Sequence, residues 1–188
     1  MIQDGLPFDL ARIGEVLERH SVRYVVIGGM SGTFHGMVDY RTKDVDLLVQ
    51  QSASNFASLA AALTELRAVP LGTSDRRSII GADLDAGSTQ WETDAGPIDV
   101  LVTAAWSSDS IVVYRDIVRS SMVFDVGPGV AMPVASLDDV IRMKEAADRY
   151  KDHLALPELR RLRGDRYPHL STEVDPFGGF DIEYGADD

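Results

Sequence analysis

The stretch from Arg23 to Val49 restricts the chain to few architectures. Arg23-Tyr24-Val25-Val26-Ile27 is a short, largely β-branched run closed by Gly28-Gly29, and it reads as a buried strand entering a tight turn. Lys43-Asp44-Val45-Asp46-Leu47-Leu48-Val49 is a second strand pattern carrying two acids one residue apart. Side chains alternate along a strand, so Asp44 and Asp46 share one face while Val45 and Leu47 enter the opposite layer. Adjacent like charges repel, and burying the pair is costly. A cation between them removes both penalties, and carboxylate oxygens of this hardness suit Mg²⁺ or Mn²⁺. The competing reading is a solvated strand end.

The rest of the chain alternates between the two periodicities. Phe8 to His20 reads as an amphipathic helix with Leu10, Ile13, Val16 and Leu17 on one side. Ser31 is placed to cap a short helix to Met37, and Asn55 to Leu66 is a helix rich in Ala and Leu. Ser78–Leu84 and Ser88–Thr93 read as strands around Asp85-Ala86-Gly87, and Pro97–Thr103 as another strand. A short helix is expected over Tyr114–Ser120. Met122–Val126 and Val130–Val134 form a hairpin around Gly127-Pro128-Gly129. Ser136 caps a helix from Leu137 to about Tyr150, with Asp138 and Asp139 near its positive end, and another helix covers Leu154–Arg163. The pattern predicts an α/β (α+β) domain: a small mixed β-sheet flanked by helices, with a C-terminal helical part.

Length and charge divide the chain. Its 188 residues suit one domain, expected over residues 1–164. Residues 165–188 form an acidic tail, expected to be flexible. The formal charge is −12, and the tail's seven acids and one Arg account for −6 of it, leaving −6 on the body. Such a balance argues against a general nucleic-acid coat, though not against a local basic site. The absence of cysteine excludes disulfides, thiolate nucleophiles and Cys-ligated zinc. The N-terminal segment lacks the apolar core of a signal peptide, and no stretch approaches the roughly 20 apolar residues of a membrane span. A cytoplasmic protein without a membrane partner is expected.

The glycine turn adds to the aspartate pair. Glycines let backbone approach a phosphate closely, and a helix N-terminus behind them offers N–H groups and a positive dipole end. Gly28-Gly29-Met30-Ser31, a short helix, and then Arg41-Thr42-Lys43-Asp44-Val45-Asp46-Leu47 resemble the opening signature of the polymerase-β-like nucleotidyltransferases. The resemblance is nearest to the bacterial toxin enzymes of the AbiEii/MenT type. It implies that fold, with Asp44 and Asp46 as metal ligands and Gly28, Gly29 and Ser31 at the triphosphate. Arg41 and Thr42 belong to the same nucleotide-binding segment. It further implies a third metal-binding carboxylate on a later strand, which Asp99 in Gly96-Pro97-Ile98-Asp99-Val100-Leu101 supplies. An acid inside that apolar run is expensive unless paired or metal-bound.

The same resemblance implies a lysine on a later helix followed by Lys-Asp, and Lys144 and Lys151-Asp152 match it. If the helix continues, Lys144 shares a face with Asp148 and with Lys151 or Asp152. Lys144 would then contact the triphosphate, with Arg149, Lys151 and Asp152 completing the nucleotide site. The alternative for Lys144 is a surface pair with Asp148 at i,i+4. The implied activity is metal-dependent transfer of a nucleoside monophosphate from an NTP, ATP among the candidates, to an RNA acceptor. The tRNA 3′ end is the expected acceptor, and a cognate antitoxin the expected partner. Transfer to a small molecule of aminoglycoside type or to a protein hydroxyl is the alternative, and a non-catalytic regulatory module on the same fold is a third. His35, Trp91 and Trp106 read as packing residues. The Arg160, Arg161, Arg163 and Arg166 cluster reads equally as an RNA-backbone grip or as a favourable helix C-terminus.

Overall fold

The alternating strands close into one mixed sheet in the computed structural model, which describes residues 8–38, 42–71, 88–107 and 109–166. The helices are α1 (Leu10–Arg19), α2 (Gly28–Phe34), α3 (Ala53–Glu65), α4 (Tyr114–Ile117), α5 (Leu137–Ala147) and α6 (Tyr150–Arg166). The strands are β1 (Tyr24–Ile27), β2 (Val45–Val49), β3 (Val69–Pro70), β4 (Ser88–Glu92), β5 (Ile98–Leu101), β6 (Ala104–Ser107), β7 (Ser110–Val112), β8 (Met122–Gly127) and β9 (Val130–Val134). Seven strands lie in the order β3-β4-β5-β2-β1-β9-β8, and β6 pairs with β7 in a separate ribbon. β2 runs parallel to β5 and β1 parallel to β9, while the other neighbours are antiparallel.

Alternation divides the core between the two faces. Tyr24, Val26, Val45, Leu47, Val49, Ile98 and Val100 join Leu10, Ile13, Val16 and Leu17 of α1 and Leu59 and Leu63 of α3. Val25, Ile27 and Leu48 face Val140, Ile141 and Met143 of α5 and Leu156 and Leu159 of α6. Each fully buried aliphatic side chain contributes roughly 1.5–3 kcal/mol relative to exposure. Strand periodicity therefore puts Asp46 on the α5 side, the face it shares with Leu48.

Helix starts follow side-chain capping at three points. Asp9 accepts from Arg12 N at 2.9 Å, Ser52 from Asn55 N at 3.3 Å, and Ser136 from Asp139 N at 3.2 Å. The Ser52 cap moves the start of α3 to Ala53, two residues before the sequence expectation. Buried Asn55 then accepts from Arg23 N at 2.7 Å and donates to the carbonyls of Arg23 and Gln50 at 3.0 and 2.9 Å. It ties the start of β1 to the end of β2.

Three expectations need correction. α2 begins at Gly28, with Ile27 at its N-cap and no side-chain cap, so Ser31 lies inside the helix rather than at its start. α5 ends at Ala147, because Asp148 adopts a left-handed conformation (φ 49°), and α6 then starts at Tyr150 rather than Leu154. The β6–β7 ribbon and β3 were not anticipated. The expected strand at Ser78–Leu84 and the turn Asp85-Ala86-Gly87 fall outside the described residues, as does the tail beyond Arg166. Among the described residues no helix is long and apolar enough to cross a membrane.

Candidate active site

The edge between β1, β2 and β5 gathers the predicted carboxylates. Asp46 on β2 is in register with Asp99 on parallel β5. Parallel partners in register project their side chains to the same side, so the two acids stand one strand spacing apart, about 4.8 Å. Asp44 precedes β2 on the same alternation as Asp46. The three charges act on one another: burial, then Asp44 and then Asp99 push the Asp46 carboxyl up to about 7, against Lys151 and the Gly29 N–H. Asp99 is likewise raised, first by burial and further by Asp44, while a hydrogen bond from Gln90 and the charge of Lys151 oppose the shift.

Each acid is held by a named partner. Gly29 N–H donates to Asp46. Thr42 Oγ1 lies 3.1 Å from both the Asp44 carbonyl and Asp44 Oδ1. Gln90 Nε2 donates to Asp99 Oδ2 at 2.9 Å from the facing position on antiparallel β4. Gln90 was missed in the sequence, where it is one polar residue in an ordinary edge pattern. Gly28 is required by space as well as by backbone, since it has φ +66° and the carboxylate of Asp46 occupies the volume a Cβ would fill.

Asp44 and Asp46, with the glycine turn, border a cleft of about 880 Å³. Gly28, Gly29, Thr42, Asp44 and Asp46 line one side, and Lys144 of α5, Arg149 of the link between the helices and Lys151 of α6 line another. The β6–β7 ribbon supplies a further wall with Ser107, Asp109, Ser110 and Ile111. Arg142 of α5 stacks over Trp106 of that ribbon, its guanidinium carbon 4.6 Å from the ring centroid. Trp106 thereby anchors the wall to α5.

Several predicted residues lie elsewhere. Asp99 stands beside Asp46 but is not part of the cleft lining. Ser31 is fully buried, and its hydroxyl donates to the Ala135 carbonyl at 3.3 Å, so its side chain does not reach the cleft. His35 Nε2 lies 2.7 Å from the same carbonyl, and the two residues lock α2 against the β9–α5 turn. Asp152 is fully buried behind Lys144 and Arg149 rather than in the cleft wall. Asp148 does not pair with Lys144; it faces His153 Nε2 at 2.9 Å. Arg41 falls outside the described residues.

The α6 arginines meet acids. Arg160 pairs with Glu145 at 2.7 Å, and Arg163 lies 4.0 Å from Asp138. Both acids belong to α5, so this part of the basic cluster serves helix packing.

Among the described residues no group of three or more His, Cys, Asp or Glu side chains closes around one point as a finished metal cage. The donor chemistry nonetheless fits a divalent cation. Asp44 and Asp46 present hard oxygens from one strand face, and Asp46 is buried beside two like charges. A cation between them would offset the repulsion that raises Asp46.

No family model matches the sequence, and no curated protein matches it. Among solved structures the chain is similar to a solution structure of the antibiotic-resistance factor ANT(2'')-Ia, with 15% identity and a TM-score of 0.48. That likeness covers 85% of this chain and 91% of the other. It is also similar to a crystal structure of ANT(2")-Ia in complex with adenylyl-2"-tobramycin, with 14% identity, a TM-score of 0.47, and coverage of 85% and 95%. Likenesses this distant assign no activity, and what the cleft does rests on its own residues.

Proposed function

We propose that the cleft is the active site of a metal-dependent nucleotidyltransferase, which moves a nucleoside monophosphate from an NTP to a hydroxyl acceptor. The observation that carries this reading is the opposition of charge across one cleft. Asp44 and Asp46, with Asp99 in register beside them, face Lys144, Arg149 and Lys151. A nucleoside triphosphate with a divalent cation needs both kinds of group at once.

In this reading Asp44 and Asp46 hold Mg²⁺ or Mn²⁺, which when bound neutralises phosphate charge and acidifies the acceptor hydroxyl. The acceptor oxygen attacks the α-phosphorus as the α–β P–O bond breaks, and pyrophosphate leaves with the bonding pair. Asp99 takes the hydroxyl proton, a role suited to a carboxyl held above its usual range. The Gly28-Gly29 turn brings backbone close to the phosphates. Lys144, Arg149 and Lys151 stabilise the charge that develops on the leaving group. Thr42 orients Asp44.

For the acceptor, the sequence resemblance to AbiEii/MenT-type toxins supports the 3′ end of tRNA, with an antitoxin as partner and the cytoplasm as the setting. Charge supports a second reading. The protein carries −12 overall, Asp109 adds an acid to the ribbon wall, and Arg160 and Arg163 meet acids of α5. A small cationic polyol suits that surface better than a polyanion.

The test is incubation of the full chain with labelled NTPs, Mg²⁺, and either total RNA or a cationic aminoglycoside, with Asp46→Asn as control. Label in tRNA supports the first acceptor and label in the aminoglycoside the second. Asp46→Asn should abolish either product. Transfer that persists in that variant, or no nucleotide-dependent product with any acceptor, removes the reading.

A further inference from the structure

Asp152 matched a nucleotide-binding position in the sequence, yet its geometry assigns it different work. Its side chain has no exposed surface. Oδ1 accepts from Lys144 Nζ at 3.2 Å and from Arg149 Nη2 at 3.3 Å, and Oδ2 accepts from Arg149 Nε at 2.6 Å. Both oxygens are thus directed at cations that line the cleft, while Asp152 itself does not line it. Lys144 is nearly as buried, at 4% exposure.

The helix break makes this arrangement possible. In an unbroken helix eight residues advance about 12 Å, which would carry Asp152 two turns away from Lys144. The left-handed Asp148 ends α5, and α6 departs in a new direction that returns Asp152 to Lys144. Asp152 sits in the first turn of α6, where a carboxylate is also favoured by the helix dipole.

We propose that Asp152 is a positioning residue: from behind the cleft wall it aligns Lys144 and Arg149 toward an anionic ligand without touching that ligand. This inference rests on the cleft taking a triphosphate. Among the charged groups acting on Lys144 are Asp152, Arg149 and Lys151. Burial depresses the Lys144 ammonium and Asp152 opposes the shift, so removing the carboxylate favours the neutral amine. Burial alone would raise Asp152, but Arg149 and Lys144 hold it below the ordinary carboxylate range.

The experiment is calorimetric titration of the full chain with inorganic tripolyphosphate at pH 6.5 and pH 9, on the unaltered protein, Asp152→Asn, Lys144→Gln and the double variant. Asp152→Asn is expected to weaken binding about tenfold or more at pH 9 and less at pH 6.5, since lower pH favours the charged Lys144 ammonium. In the Lys144→Gln background the same change should cost less, because the alignment of Lys144 is already gone and only that of Arg149 remains to be lost. The double variant keeps an uncharged pair, so this comparison stands even where Asp152→Asn alone does not fold. Equal losses at both pH values and in both backgrounds overturn the proposal. If the unaltered chain takes up no tripolyphosphate, the triphosphate reading fails separately. The ¹³Cε titration of Lys144 then decides for Asp152: a lower midpoint in Asp152→Asn supports the coupling, and an unchanged one ends it.

Discussion

Gly28 and Asp46 are in direct contact, so that a Cβ built on Gly28 would lie 2.0 Å from Asp46 Oδ2 and 2.7 Å from its Cγ. The turn and the carboxylate therefore occupy one fitted volume. Gly28→Ala must displace either the α2 start or Asp46, and it also forces an L-residue to φ +66°. The expected cost is about 1–3 kcal/mol of stability. Transfer activity and Mn²⁺ affinity should fall together. Thermal unfolding and a Mn²⁺ titration followed by electron paramagnetic resonance check both effects.

Asp46→Asn should stabilise the cation-free protein while abolishing transfer. The folded carboxyl titrates at about 7 against an ordinary 3.8, so between those values the folded state binds the extra proton. Stability is then lost as pH rises from about 4 to about 7, and the loss persists above that range. At 1.36 kcal/mol per unit the ceiling is about 4 kcal/mol, reduced wherever water reaches the group. The variant should melt above the unaltered protein at pH 8 without divalent cations and level with it at pH 4. Added Mg²⁺ should raise the melting temperature of the unaltered protein alone.

The hydrogen bond from Gln90 to Asp99 lowers the acid's pKa, so breaking it should raise that value further. Gln90→Met is expected to move the acid limb of the pH–rate profile for transfer to higher pH, because Asp99 must be ionised to take a proton. The rate at pH 9 should stay close to that of the unaltered protein. Measuring initial rates from pH 5 to pH 9 at saturating NTP tests this.

Asp148 holds a left-handed conformation that glycine adopts without strain. Asp148→Gly should raise stability by about 0.5–1 kcal/mol, partly offset by losing the exposed contact with His153. Asp148→Ala should lower it. Denaturant unfolding of the two variants gives the comparison, and transfer rates should follow neither change.

Much of the fold was readable because alternation and capping act locally. β1 follows from its β-branched run, β9 from the hairpin turn at Gly127-Pro128-Gly129, and α5 starts where Ser136 predicts. The break at Asp148 was not readable, since Glu145-Ala146-Ala147-Asp148-Arg149-Tyr150 contains neither glycine nor proline and suits an unbroken helix. Its cause is tertiary: Asp152, eight residues on, meets Lys144 only after the chain turns. Ser31 misled for a related reason. It has the chemistry of a cap, but the left-handed Gly28 lets the helix start three residues earlier, and the hydroxyl turns to the Ala135 carbonyl instead. The β6–β7 ribbon was missed because Ala104-Ala105-Trp106-Ser107 has no clear alternation and its partner is three residues long. In the site, the alignment of Asp44 and Asp46 was legible from strand periodicity, whereas the support given by Gln90 depends on a cross-strand register that no local pattern encodes.

The pairing of β2 with β5 carries a consequence for how this chain tolerates change. Asp46 and Asp99 owe their mutual distance to the hydrogen-bond lattice of two co-directional strands, not to the peptide that links them. Substitutions that leave the β2–β5 pairing intact can therefore alter the surroundings of the candidate site while its acids keep their interval.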